Sequence, residues 1–396
     1  MSNTKMKAAL DSVLQQTTGR HGGAPGVVAM VTDSNSNIYE GASGVRELGK
    51  QAPMDLDTVF AIFSTTKAIT SVCALQLIEE GLLRLDDPAA EYLPEMDELQ
   101  VLEGFSADGQ PRLRPPRRRV TVSDLLLHTS GLSYDFFSSE DKRYRELKDI
   151  PSIITCTKES IQTVLQHDPG DAWTYGVNTD WLGLIVEKLR GKRLGEVMHE
   201  RVFQPLDMTD TAFSVNNDMM DRRATIHTRA EDGQLIPVPE LALPTEPAMD
   251  MGGHGLYGTV KDYMKFLRMI LNDGAGKNGR VLKPETASLL AKDGYAGTSI
   301  PIGFWETSDP SLANTGEFMP GVDKGWSHAF LVNRERAPTG RSSGSMAWAG
   351  LANSYLWIDK TKGIGGYWAT QILPFYDCSS YPGFYEFEAT TYQNLD

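Results

Sequence analysis

The sequence predicts an α/β (α+β) fold, with an antiparallel sheet flanked by helices and a mostly helical domain inserted into it. Three observations predict this. A hairpin-like stretch stands near the start, the middle is rich in helical spacing, and alternating strand-like runs return near the end. One sheet built from both chain ends is the economical layout. It divides the chain into a discontinuous sheet domain, residues 1–85 and 255–396, and a helical insertion, residues 86–254, with the active site between them.

The opening MSNTKMKAALDSVLQQ reads as an amphipathic helix. Residues 24–44 alternate and turn at Asp33-Ser-Asn-Ser-Asn37, a hairpin signal. A short apolar run at 59–63 leads into a helix that Gly81 stops. Further on, 122–128 reads as a helix with Ser123 as its cap, and 181–190 as an amphipathic helix ended by Gly191. The Pro-rich stretch 235–247 reads as extended. Helical spacing returns at 260–271 and 284–292. Residues 353–359 and 366–373 then read as two core strands around a turn.

The chain has 396 residues and 40% hydrophobic content, enough for a large core. Its net charge of −14 repels phosphate backbones, which argues against nucleic acid as a partner. No apolar run approaches the ~18 residues of a membrane span. The first residues lack the apolar region of an export signal, so a cytoplasmic location is expected. Three scattered cysteines, Cys73, Cys156 and Cys378, fit unpaired thiols in a reducing compartment. No metal and no organic cofactor is expected, and the sequence carries no signal for oligomeric state. The basic run RLRPPRRR, residues 112–119, is expected to be a solvated loop.

Chemistry is concentrated in FSTTKAIT, residues 63–70. Ser-x-x-Lys occurs three times, at Ser2/Lys5, Ser64/Lys67 and Ser139/Lys142, but only Ser64 follows an apolar strand and opens an apolar helix. Residues three apart on a helix share a face, so Lys67 can reach the Ser64 hydroxyl. A serine needs a base to attack a carbonyl, and burial together with the helix dipole favours the neutral, basic form of a lysine. The competing reading is a capping serine beside a lysine whose head reaches water. These two residues alone leave both readings open.

Two later stretches favour chemistry. DPGDAWTYGVNTD, residues 168–180, sends Tyr175 into a loop, where a phenol near a lysine can shuttle a proton. SMAWAGL, residues 345–351, surrounds Trp348 with small residues that permit close approach to backbone N–H groups. Ser-x-x-Lys, then a tyrosine loop, then a small-residue triplet on a late strand resembles the penicillin-recognising serine enzymes. With LLLHTSGLSY (125–134) and GGHGLYGTVKDYMKFL (252–267), the pattern is most similar to the β-lactamase-like family VIII carboxylesterases. VLEGF (101–105), HTSGLSY and DPGDAWTYGVNTDW also resemble acyltransferases of lovastatin synthesis.

The resemblance implies a β-lactamase-like fold, Ser64 as nucleophile, and Lys67 with Tyr175 as the proton-handling pair. It implies an oxyanion hole from the backbone N–H groups of Ser64 and Leu351. It further implies a substrate site lined by Tyr134, Trp348, Ala349, Gly350 and Asp180, although for Asp180 a cap on the helix at Trp181 competes. Two departures bear on substrate. The late strand carries Trp348-Ala-Gly350 where penicillin-recognising enzymes carry Lys-Thr-Gly, and Val177 stands at the asparagine place of the tyrosine loop, with Asn178 one later. Both disfavour β-lactam hydrolysis and favour an apolar, uncharged ester.

Competing motifs are weaker. Gly340-Arg-Ser-Ser-Gly344 spells a nucleophile elbow, but no helix follows, and His328 is the last of seven histidines. His128 reads as a structural residue and His254 as a turn residue near the site. Phe136, Phe137, Tyr257, Phe304 and Trp305 are candidates for shaping the pocket. The expected activity is therefore serine carboxylesterase action on a small-molecule ester, of short acyl chain, through an acyl-enzyme on Ser64. The alternative passes the same acyl group to an alcohol. A β-lactamase, a D-amino-acid peptidase and an inactive ligand-binding paralogue rank lower.

Overall fold

A seven-stranded antiparallel sheet carries the architecture in the computed structural model, which describes residues 2–298 and 300–395. The Ser2 side chain, and with it the first Ser-x-x-Lys spacing, lies outside the described residues. In chain order the elements that position the site are α1 (Ser2–Gly19), β1 (Gly26–Thr32), β2 (Asn37–Gly44), β3 (Val59–Ala61) and α2 (Thr66–Glu79). Then come α3 (Asn178–Arg190), β4 (Tyr257–Thr259) and α4 (Val260–Leu271). The last are β5 (Lys324–Trp326), β6 (Leu331–Asn333), β7 (Met346–Gly350), β8 (Ser354–Asp359), β9 (Ile364–Ala369) and α5 (Ser380–Gln393).

The sheet order is β5-β6-β7-β8-β9-β1-β2, so strands from both chain ends lie side by side. Trp357 of β8 pairs with Gly366 of β9, and β9 pairs with β1 from Val28↔Ala369 to Thr32↔Gly365. Helices cover both faces. Leu267 of α4 lies against Gly365, while the Trp357 ring meets Phe384 and Phe387 of α5, each at 6.0 Å between centroids. This explains why β1, β7, β8 and β9 are buried along their whole length. The alternation in the sequence marks two buried faces, not one wet and one dry.

Several elements differ from the sequence reading. The chain ends in a helix, α5, and not in strands. Its SYPGFYEFEATTYQ carries Pro382 in the first turn, where a missing N–H costs no helical bond. Packing of Tyr39 and Trp368 on Phe387 holds it in place. The helix at Val122–Leu127 is capped by Thr121 in a capping box with Asp124, and not by Ser123. Of 284–292 only Pro284–Ser288 is α-helical. Residues 101–105 and 111–114 form a hairpin inside the region expected to be mostly helical.

The basic run is more than a solvated loop. Arg114 donates to both Asp168 oxygens at 2.9 and 2.7 Å, and the Arg117 N–H to Oδ1 at 2.7 Å. Arg118 pairs with Asp124. These bonds strap down the 168–171 turn that leads into Tyr175.

The far face of the sheet holds a buried ion pair, Arg341 with Glu388 of α5, 3% and 1% exposed, with Thr339 donating to the same carboxylate at 2.6 Å. Glu388→Ala strands the guanidinium and is expected to cost ~3–5 kcal/mol, while an Arg341→Met/Glu388→Leu double variant loses much less. Urea denaturation of the three proteins checks this; equal losses in the single and double variants would contradict it.

Candidate active site

Ser64 stands where β3 runs into α2. Between them the chain makes a tight turn at Phe63–Thr65, and Phe63 adopts φ +43°, a left-handed conformation that costs a bulky residue strain. The turn leaves Ser64 half-buried and facing a cleft, with Thr65, Thr66 and Lys67 buried behind it. Opposite, β7 passes close by. A Cβ on Gly350 would stand 2.4 Å from the Ile62 carbonyl, so only glycine lets the strand reach the Ser64 turn.

Lys67 is 1% exposed. Its Nζ lies 2.7 Å from the Gly253 carbonyl, 2.8 Å from the Tyr134 hydroxyl and 3.4 Å from Ser64 Oγ. It also sits 4.7 Å from the centroid of the Tyr175 ring. Burial lowers its pKa to about 7, against the opposing pull of the Asp180 carboxylate. The neutral amine has two hydrogens and one lone pair. With the hydrogens on Gly253 O and Tyr134 Oη, the lone pair is left for the Ser64 hydroxyl.

Tyr175 faces the cleft and accepts a hydrogen bond from Trp348 Nε1 at 3.1 Å. Burial pushes its phenol up, with hydrogen bonds to Ser64 and Trp348 opposing, so it holds its proton at neutral pH. Tyr134 is raised further, again by burial. The group suited to accept a proton is thus Lys67, and the group suited to give one is Tyr175. The Ser64 and Leu351 N–H groups have no acceptor among the described residues, and both residues line the cleft.

The cleft has a volume of about 40 Å³. Trp348, Ala349 and Gly350 line it with Ser64, Tyr175 and Leu351, as the sequence reading expects. Phe136, Phe137 and Trp305 join them, whereas Tyr257 turns away to the Leu243 carbonyl and Phe304 is half exposed outside. Sequence reasoning missed Trp173, Phe318 and Phe375 on the wall and Gly253 behind it. Trp173 stood inside a quoted motif, and the glycine cluster MGGHG was the available sign of close packing.

Two placements correct the sequence reading. Asp180 is not at the substrate site. It is fully buried behind Lys67 and neither lines the cleft nor caps its helix; its Oδ1 accepts the Gly253 N–H at 2.7 Å. Tyr134 meets Lys67 from the protein side, 1% exposed, without lining the cleft. His128 is structural, its Nδ1 facing the Asn178 amide at 3.0 Å, and that amide also reaches the Leu132 carbonyl at 3.2 Å. Asn178 is therefore committed to the 128–134 loop. Ser342 lies in the loop between β6 and β7 with no helix after it.

The Beta-lactamase family model matches residues 10–381. The lovastatin esterase of Penicillium rubens is 30% identical, the match covering 94% of this chain and 93% of that one. The acyltransferase mokF of Monascus pilosus is 34% identical over 72% of this chain and 70% of its own length. Among solved structures, unliganded simvastatin synthase from Aspergillus terreus superposes with a TM-score of 0.83 at 27% identity, covering 100% of this chain and 99% of that one.

The burial of Lys67 is directly testable. In protein labelled with lysine ¹³Cε, the resonance missing from Lys67→Met is expected to titrate near pH 7, while exposed lysines titrate near ~10.4. A Lys67 midpoint near that ordinary value would show a solvated amine.

Proposed function

The chain belongs to the Beta-lactamase family, whose serine enzymes here include esterases and acyltransferases, and on that premise we propose that it is a serine carboxylesterase acting on uncharged esters of short acyl chain. One observation carries the reading. A buried lysine, its pKa lowered to about 7, lies 3.4 Å from a serine at the head of an aromatic cleft.

Ser64 Oγ attacks the ester carbonyl carbon as its proton passes to Lys67 Nζ. The carbonyl oxygen becomes the oxyanion and takes hydrogen bonds from the Ser64 and Leu351 N–H groups. The tetrahedral adduct then expels the alkoxide, which receives the Tyr175 proton, and Lys67 reprotonates Tyr175. An acyl-Ser64 ester and a free alcohol result. Water reverses the sequence, giving up its proton along the same pair and releasing the carboxylic acid.

The substrate class follows from the walls. Phe136, Phe137, Trp173, Trp305 and Phe318 offer contact area and no charge. At the late-strand position where a β-lactamase or D-amino-acid peptidase carries lysine stands Trp348, whose indole N–H is committed to Tyr175. A substrate carboxylate finds no cation there. The second reading, transfer of the acyl group to an alcohol, is favoured by the similarity to the mokF acyltransferase.

Acid quenching seconds after mixing with p-nitrophenyl butyrate tests the chemistry. A butyryl-sized mass increase on the Ser64 peptide, absent from Ser64→Ala, is expected. Lys67→Arg, charged at every accessible pH, is expected to acylate ~10²–10⁴-fold more slowly. An unmodified protein with no nitrophenol released from a panel of bulkier esters would sink the reading. Adding an apolar alcohol distinguishes the two forms: hydrolysis leaves the product as acid, and transfer diverts it to a new ester.

A further inference from the structure

The buried groups behind Lys67 carry an arrangement that the steps above do not use. The loop 249–256 threads between α2 and α3. Thr70 Oγ1 donates to Gly252 O at 2.7 Å, Lys67 to Gly253 O at 2.7 Å, and Gly253 N to Asp180 Oδ1 at 2.7 Å. A Cβ at Gly253 would stand 2.4 Å from Asp180 Oδ2, so the carboxylate and this peptide group fit only because residue 253 is glycine. One peptide unit after another thus links the lysine to a carboxylate that never touches it.

Two buried polar atoms in this assembly lack partners, Asp180 Oδ2 and His254 Nδ1. His254 Nδ1 lies 3.7 Å from Asp180 Oδ1. The other ring nitrogen, Nε2, faces the Ile153 carbonyl at 3.0 Å. A carbonyl only accepts, which assigns a hydrogen to Nε2. A lone pair on Nδ1 would then face a carboxylate at close range in a dry interior. Burial lowers the His254 pKa below its ordinary value, so the ring stays neutral near pH 7 and does not offset the pull of the Asp180 carboxylate on Lys67.

We propose that Asp180 is the positioning residue for Lys67: it fixes the Gly253 peptide whose carbonyl orients the amine. The inference rests on the reading of Lys67 as the base. Removing the Asp180 charge makes the ammonium form less favourable. Removing the neutral His254 ring leaves that charge in place.

Other titratable groups face the assembly. Tyr134 and Tyr175 flank Lys67, and Cys156 follows the turn at Ile153–Thr155; burial pushes all three up, so they stay protonated near neutral pH. Burial holds His128 neutral. Asp250, on the same loop as His254, is paired with Arg193. Proton exchange around neutrality is left to Lys67.

The test is the pH dependence of Ser64 acylation by p-nitrophenyl butyrate in three variants. Asp180→Asn keeps an acceptor for the Gly253 N–H and loses the charge. Its acid limb is expected to fall about one pH unit below that of the unmodified protein. His254→Gln removes no charge and is expected to leave the limb in place. Asp180→Ala loses the acceptor as well, and its plateau kcat is expected to fall roughly tenfold or more with little change in KM. The lysine ¹³Cε resonance follows the same shifts without turnover, so a variant that folds but turns over slowly still reports. An acid limb that stays in place in Asp180→Asn, or a plateau that is unchanged in Asp180→Ala, would overturn the proposal while leaving Lys67 as base. Unaltered acylation in Lys67→Met would overturn both.

Discussion

The constraint on which the site depends is that an amine must be buried without being stranded. Lysine is left neutral near pH 7 only if water is kept from it, and a buried N–H left without an acceptor is costly. Gly253 and Tyr134 meet both demands. They take the amine hydrogens and leave its lone pair directed at Ser64. Neither residue sits on α2, so the chemistry of a serine and a lysine three residues apart is completed by two distant loops.

That requirement propagates outward. Gly253 reaches Lys67 because its loop runs along α2, pinned by Thr70 at Gly252 and by Thr66 at Leu256. Tyr134 reaches it because Asn178, at the start of α3, holds the 128–134 loop through His128 and the Leu132 carbonyl. Tyr175 arrives from a turn strapped by Arg114 and Arg117. β7 completes the enclosure with Trp348, which closes the cleft and orients the Tyr175 hydroxyl in the same contact. The tryptophan thus acts on both substrate and proton donor, and its exchange would disturb the two together.

Much of this was legible in the sequence, for identifiable reasons. The Ser64–Lys67 spacing, the Tyr175 loop and the small residues before Leu351 are local signals, and the structure brings Ser64, Tyr175 and 348–351 to one cleft with Lys67 buried behind Ser64. What stayed hidden depends on contacts between distant segments. Asp180 looked like a site residue or a cap because its place at the start of α3 fits both; that it reaches instead to Gly253 is settled by a loop seventy residues away. α5 carries Pro382 and Gly383 in its first turn, and it forms where α1 and the sheet are there to receive it. The left-handed Phe63 has no sequence sign at all, since nothing about a phenylalanine announces positive φ.

On the proposed function the trio of Ser64, Lys67 and Tyr175 would serve hydrolysis and transfer alike, which leaves the choice between them to the cleft. Water competes for the acyl-enzyme with a molar excess of roughly 10⁴–10⁵ over a millimolar alcohol, a handicap of about 6 kcal/mol. An aromatic wall gives water nothing, but it rewards apolar area at ~25 cal/mol per Å². An alcohol must therefore bury on the order of 250 Å² to draw level. Ethanol lacks that surface, while a fused-ring or long-chain alcohol has it. An enzyme of the proposed kind would then hydrolyse esters in the presence of small alcohols and transfer the acyl group only to an acceptor that brings enough apolar area.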